Sequence, residues 1–595
     1  MNSFKKFPLV AIGMIGLLLL NTGCNKKLEE KPYTVFTPEY FKTISGFQSA
    51  VHALYSGQRF MYGPEGAVAV TQAGTDEFTA ADQTRTGAAG DLLTICNYTI
   101  DPGNGAILTP WNRSFNNINL ANAVVEFAPD VPLDAATKNV LVAEARFHRG
   151  LYYMNLVTQF GAVPLDLGSG ELKFNQRAFQ GFNRAPINEL LVKNYQTIIN
   201  DFTFATENLP NQRPNNAFRL SKSAAFLMLS RAYMYKAYSE AKEATDFSRS
   251  YAAAMQLINN QSLYGIELLQ NFADVHRENN DYNREILFSV ERLPGDNNSN
   301  EATLNQGIGG GKGVDASNDF NPDYTTIRSP LPSSPSAPAS TRTSQYGRPI
   351  RRFAPTAWLY NVAFADKTND SRYDGSFRTV WLATTAVGPF AVGDTAFILA
   401  KTNAQADSMN AIPKSYRVIA PREFYLIGGT FANNIYPALS KYEDSKKQNP
   451  NDPGGRPFVA AKFSEAYLLA AEAAMQGAGG GTAEAATLLN VLRHRAAFRP
   501  GLTTAELTAR RNALTISAGQ VNLDFILDER TRELCGESIR WPDLARRGKL
   551  LERVIAYNPD GAPNIKPFHV YRPIPRSHLE NLTVPNPQQY QNPGY

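Results

Sequence analysis

The sequence predicts a mainly α-helical chain, with helix pairs forming a scaffold and an irregular, loop-rich lobe of short β-strands set between helical parts. Three observations carry this. Segments with helical periodicity, the first opened by capping residues, occupy both ends of the chain. One of them, Leu133–Phe160, is apolar on almost every side, as a helix packed among others must be. The middle of the chain is instead dense in Gly, Pro, Ser and Asn, which is loop chemistry.

The elements follow in order. Lys5 and Lys6 precede an apolar run, Pro8 to Leu20, of signal-peptide length and too short to span a bilayer comfortably. An ordinary cleaved leader would leave the following Cys24 incidental. A bacterial lipoprotein leader would cut between Gly23 and Cys24 and acylate the thiol. Leu is usual three places before such a cysteine; Asn21 stands there and Leu20 sits one earlier, so the motif is imperfect. The lipoprotein reading makes 1–23 a leader and 24–36 a lipidated tether. No other segment is long and apolar enough to cross a membrane.

Thr37, Pro38 and Glu39 predict a helix start, with the helix running to about Tyr55. Residues 56–109 then lose periodicity and carry GTDEFTAADQTRTGAAGD, a long excursion of the kind that is often functional. Helices resume at Trp111–Phe127 and Leu133–Phe160, the second stopped by Gly161 and Pro164. More are expected at 186–207, 219–241 and 246–259. Small residues in SKSAAFLMLSRAYMYKAY let neighbouring helices approach closely. Helix pairs are visible without a strict repeat, so any solenoid is degenerate. The first helical part spans 37–269 and the irregular lobe 270–455, with β-like runs FRTVWLATT and AFILA. The last part, 456–595, has helices at 462–476, 482–496 and 523–548 and ends in Pro/Asn-rich coil.

The composition excludes some functions. The net charge is +5, or +3 without Lys5 and Lys6, and no Lys/Arg run tracks a phosphate backbone, so no nucleic-acid partner is expected. Apart from Cys24 the chain has only Cys96 and Cys535, expected to be free and buried, with one disulfide in an oxidising compartment as the alternative. GIGGGKG fails as a phosphate loop because its glycine spacing is wrong and Gly313 stands where Ser or Thr is needed. DNNSNE (296–301) alternates oxygen ligands but lacks the glycine and bidentate Glu of a calcium loop. There is no HExxH, GxSxG or CxxC. No catalytic residue, metal ligand or cofactor is expected; a structural calcium has no motif behind it. His148 reads as a hydrogen-bonded core histidine.

The densest charge pattern is DFILDERTRELCGESIRWPDLARRGKL. Glu529, Glu533 and Glu537 share a face if the helix continues, and paired carboxylates can do acid–base work. A structural ion-pair network is the favoured reading: Asp528 and Arg532 are four apart and Glu529 and Arg532 three apart. Arg530, Arg540 and Arg546 offer further partners, and Gly536 and Pro542 suggest a break.

Six segments in order resemble the SusD/RagB outer-membrane lipoproteins of Bacteroidetes. They are EARFHRGLYYMNLVTQFGAVPL, RLSKSAAFLMLSRAYMY, NDSRYDGSF, FSEAYLLAAEA, LDERTRELCGESIRWPDLARRGK, and the tail with PIP (573–575) and QNPGY. The resemblance implies tetratricopeptide-like helix pairs supporting an irregular lobe. It implies an outer-membrane protein facing the cell exterior, anchored through lipidated Cys24, with Glu29 and Glu30 fitting surface export. It implies a non-catalytic lid over a SusC-like TonB-dependent transporter, capturing glycans or in some cases peptides.

The family's ligand platforms do not carry over residue by residue. Candidates therefore rest on loop position: Tyr62, Phe78 and Tyr98 in the excursion and Tyr282 and Tyr346 in the lobe, as rings for sugar C–H faces, with Asp76 and Asn104 for hydroxyls. Trp111 and Trp541 read as packing residues; Trp358 and Trp381 are open. Glycan capture is the leading expectation. A peptide ligand, a glycosidase using Glu533 and Glu537, and a purely structural partner of the barrel are the alternatives.

Overall fold

The computed structural model describes residues 38–81, 88–168, 187–214, 218–292, 313–328, 341–424, 435–582 and 586–595. Cys24, the leader, the tether and residues 296–301 lie outside these, as does GIGGGKG up to Lys312. Among the described residues no helix is long and apolar enough to cross a membrane.

The scaffold is built from twelve helices that matter here. They are α1 Ile44–Gly57, α2 Glu65–Gln72, α3 Gly105–Phe127, α4 Ala135–Phe160, α5 Ile187–Asn208 and α6 Lys222–Ala237. Then come α7 Asp246–Asn259, α8 Ser464–Met475, α9 Gly481–Ala496, α10 Leu523–Leu534, α11 Arg540–Arg546 and α12 Leu550–Tyr557. Local chemistry starts them. Asp134 caps α4 by accepting from Thr137 N, and Asn522 caps α10 by accepting from Phe525 N. Gly161, at φ +77°, ends α4 against the Tyr571 ring, which leaves about 3.1 Å for a Cβ.

From α3 to α9 each helix packs on the next, the tetratricopeptide-like array. The contact of α7 on α8 pairs a helix that ends at Asn259 with one that begins at Ser464, so the chain leaves the array and returns to the adjacent place. What intervenes is the lobe. Its nine short strands, counted with the excursion and among the described residues, are β1 Phe78–Ala80, β2 Ile286–Val290, β3 Phe353–Pro355, β4 Phe377–Arg378, β5 Val380–Leu382, β6 Thr395–Leu399, β7 Arg417–Ile419, β8 Ala438–Leu439 and β9 Phe458–Lys462. β2 and β9, where the chain enters and leaves, pair antiparallel and close the lobe as a stem. β1 pairs with β3, so the excursion is stitched into the lobe. β4 pairs with β8, and β5–β6–β7 form the one three-stranded sheet.

Several expected boundaries shift for physical reasons. The first helix breaks after Phe41, because Thr43 caps a new one, its hydroxyl accepting from Gly46 N at 3.0 Å. The excursion is more ordered than its composition suggests: α2, β1 and a helix Ala88–Cys96 lie in it, and α3 starts within it at Gly105. The expected helix 523–548 is two, α10 and α11, split at Gly536 with φ +74°. Of the four tryptophans, Trp111, Trp358, Trp381 and Trp541 are all buried. Cys96 and Cys535 are buried and are not joined in a disulfide.

Candidate ligand-binding surface

The α10–α11 region is the hub that joins scaffold to lobe, and its carboxylates are occupied. Glu529 meets Arg372 at 2.7 Å, Arg493 at 2.8 Å and Arg532 at 2.7 Å. Glu533 meets Arg495 at 2.5 Å. Glu537 accepts from Lys441 at 2.7 Å, Lys462 at 2.8 Å and His276 at 3.2 Å. The expected Asp528–Arg532 pair is not formed: Arg532 turns to Glu529, and Asp528 pairs with Arg553 at 2.5 Å.

Burial by itself would push these carboxyls up, but Arg495, Lys462 and Arg372 outweigh it and hold Glu533 down at about 2. Glu537 is likewise driven well below the ordinary range, by Lys441 and Lys462 against burial. A glycosidase acid needs a raised pKa and access to substrate. Glu533 and Glu537 are buried and lowered, so this pair cannot serve that chemistry.

The sequence-predicted site residues fall mostly inside. Asp76 is fully buried, its carboxylate gripped by Arg540 through two 2.7 Å bonds and by Arg553 at 2.5 Å. Phe78 lies in β1 with its ring edge-on to Phe320 at 4.8 Å. Tyr98, at φ +60°, donates its hydroxyl to Gly74 O at 2.6 Å. Asn104 is the cap of α3: Oδ1 accepts from Ala106 N, and Nδ2 donates to Asp91 O and Thr94 Oγ1. The Tyr346 hydroxyl accepts from Leu382 N at 2.9 Å, closing the outer edge of β5. Tyr62 is buried and lines a small cavity together with Asn155. As ligand contacts these six are corrected: each is at least nine-tenths buried, and loop position in sequence gave no measure of that.

Tyr282 differs. It is 37% exposed, ahead of β2 on the stem of the lobe. Its hydroxyl donates to the Glu291 carboxylate, which fixes the ring. Burial and that bond both raise its pKa, so the phenol stays protonated. Arg213 holds the backbone beneath it, donating to Tyr282 O at 3.1 Å and Asn283 O at 2.8 Å. Arg59 donates to Glu291 O at 2.7 Å, and Arg456 pins the neighbouring Asp281 at 2.7 Å. An exposed, orientation-locked ring among carboxylate, guanidinium and amide groups is the chemistry that stacks on a sugar ring and bonds its hydroxyls.

Sequence reading missed Glu291, Arg213 and Arg59; Glu291 is nine residues from Tyr282 with no periodic pattern between them, and the two arginines come from distant parts of the chain. A second aromatic feature was also missed. Half-buried Tyr557 stacks on Trp358 at 5.0 Å, with the Arg553 guanidinium 4.7 Å from the Trp358 ring. The internal cavity, at about 40 Å³, is far below the roughly 300 Å³ of a small-molecule site. Among the described residues no cluster of three or more His, Cys, Asp or Glu side chains could hold a metal.

Comparison with known proteins places this geometry. A model described as the SusD family matches residues 285–595, and one described as starch-binding associating with outer membrane matches 29–234. SusD-like protein P2 of Formosa agariphila is 26% identical over 599 residues, covering 98% of this chain and 99% of that one. A SusD-like protein of Bacteroides ovatus is 23% identical over 308 residues, covering 49% and 51%. Among solved structures, a laminarin-binding SusD-like protein superposes with TM-score 0.64 at 22% identity over 93% of this chain and 100% of that one. Surface glycan-binding protein A of Bacteroides thetaiotaomicron, in complex with laminarihexaose, gives 0.62 at 18% identity over 92% and 99%. These structural likenesses establish the shared fold.

Proposed function

This chain belongs to the SusD family, and on that premise we propose that it is a non-catalytic cell-surface lipoprotein that binds glycan chains and delivers them to a SusC-like TonB-dependent transporter. The observation that carries the reading is the pair of family matches, which together take in most of the chain, one of them described as starch-binding. Two full-length structural neighbours described as binding laminarin or laminarihexaose support a glycan ligand. Cys24, at the end of the apolar leader, supports lipid anchoring on the outer membrane.

Tyr282 is the proposed contact. A fixed ring pays little conformational entropy when a sugar face packs on it. The Glu291 carboxylate, which already accepts from Tyr282, has acceptor capacity left for a ligand hydroxyl. The buried state of Glu533 and Glu537 supports a binder rather than a hydrolase.

The test is affinity-gel retardation and calorimetry of the chain from Asn25 onward against polysaccharides and peptide digests. Selective retention by a glycan without its hydrolysis is expected. Binding to peptides alone, or sugar release by the pure protein, would overturn the reading. Anchoring is tested by fractionation: Cys24→Ala should move the protein out of the membrane fraction.

A further inference from the structure

The cavity at the seam between scaffold and lobe is too small for a saccharide, but its lining is not that of a dry void. It measures about 40 Å³. Its walls come from the excursion (Tyr62), α4 (Asn155, Gln159), α6 (Arg231) and the α10–α11 turn (Glu537, Ser538), with Met61, Val70 and Met154 as apolar surface. Two side chains that line it carry polar atoms with no protein partner: Gln159 Oε1 and Ser538 Oγ. Both residues are more than nine-tenths buried, at 2% and 8% exposure. A buried polar atom without a partner is costly, and native interiors rarely leave one so.

Ser538 adds a second, independent oddity. Its backbone sits at φ +57°, the left-handed region that favours glycine. A serine held there points to a use for its hydroxyl, since strained conformations persist where the surroundings require them. Tyr62 and Asn155 border the same space. A buried water needs two to four polar partners and roughly 10–15 Å³. The cavity meets both conditions about three times over in volume and with at least two oxygens still seeking a partner.

We propose that this cavity is a built-in hydration site, holding about three ordered waters that bond Gln159 Oε1 and Ser538 Oγ. These waters complete the joint between α4 and the α10–α11 turn. They fix the turn that carries Glu537, and through Glu537 they reach Lys441 and Lys462. The site is independent of any ligand on the outer surface.

The test is a crystal structure of the chain from Asn25 onward at about 1.5 Å, repeated under xenon pressure. Water peaks within about 3.2 Å of both atoms and no xenon are expected. Xenon occupancy, or no peaks, would overturn the proposal. A peak with six or more oxygen neighbours at about 2.4 Å would make it a cation site instead, and would equally overturn it. In Ser538→Ala crystals the peak bonded to that hydroxyl should vanish while the one on Gln159 stays. Should that variant fail to fold, Gln159→Leu provides the reciprocal loss.

Discussion

The Lys462 ammonium, at the end of the stem strand β9, lies 2.8 Å from the Glu537 carboxylate on the turn between α10 and α11. Lys441 reaches the same oxygen at 2.7 Å. One carboxylate therefore holds two buried ammonium groups, from two parts of the lobe, against the C-terminal helices. Removing one partner of a buried pair costs about 3–5 kcal/mol, because the other charge is left unpaired. Glu537→Gln takes the carboxylate from Lys441, while Lys462 keeps Glu533 at 3.8 Å. It should lower unfolding free energy by about 3–5 kcal/mol in urea titrations, with glycan binding by the folded fraction retained. A loss under about 1 kcal/mol would show that the lobe is held elsewhere.

Acid should loosen the fold. Burial, with Lys441 and Lys462 adding to it, lowers the His276 pKa to about 4, and burial lowers His569 and His578 to about 4 and His148 to about 3. Each folded value lies below the unfolded 6.5, so the unfolded chain takes up protons first as pH falls. Stability is lost from about pH 6.5 downward, by roughly 2 kcal/mol per histidine at pH 5. Glu77 runs the other way: burial, with Asp76 adding, raises it to about 7. Folding then favours its protonated form between pH 7 and 4.5, which offsets about one histidine. Urea midpoints at pH 7 and pH 5 check the balance, and Glu77→Gln should steepen the loss. Equal midpoints in the wild type would contradict it.

The helices were readable because they are local. Gly161, directly after α4, is a signal at the boundary it sets. Asp76 shows what is not local. Its sequence surroundings, GTDEF, look like an exposed loop, yet Arg540 and Arg553, over 460 positions away, draw it into the core. Tyr282 and Asp76 were chosen on the same ground, loop position; only the tertiary fold separates the exposed one from the buried one. The α10 charge pattern was legible as an ion-pair network, but partner choice was not: Asp528 chose Arg553 over the nearer Arg532.

The C-terminal residues act as a clasp. Asn592 Nδ2 donates to Phe160 O at 3.1 Å and Arg572 O at 2.6 Å. Gln591 exchanges bonds with the Ile574 backbone at 2.7 and 2.9 Å, and the Tyr595 hydroxyl donates to Tyr571 O at 2.9 Å. Deleting 591–595 strands Phe160 O at the end of α4 and the buried Arg572 and Ile574 backbone groups, each costing about 1–3 kcal/mol. The truncated chain should melt several degrees lower in a thermal scan. An unchanged midpoint would mean that water replaces the clasp.

Tyr282 carries the sharpest test of the binding surface. Tyr282→Ala removes the exposed ring, and with it a stacking contribution of about 0.5–1.5 kcal/mol, so affinity for a bound glycan should fall up to about tenfold. Tyr282→Phe keeps the ring but cuts the bond to Glu291, freeing the ring to rotate; a smaller loss, about two- to threefold, is expected. Neither change touches the core, so unfolding free energies should hold within about 0.5 kcal/mol of wild type. The order wild type, Phe, Ala in calorimetric affinity separates stacking from hydroxyl anchoring. Equal affinities in all three would remove Tyr282 from the site, and a variant of Tyr557, which stacks on Trp358, would then be the next to measure.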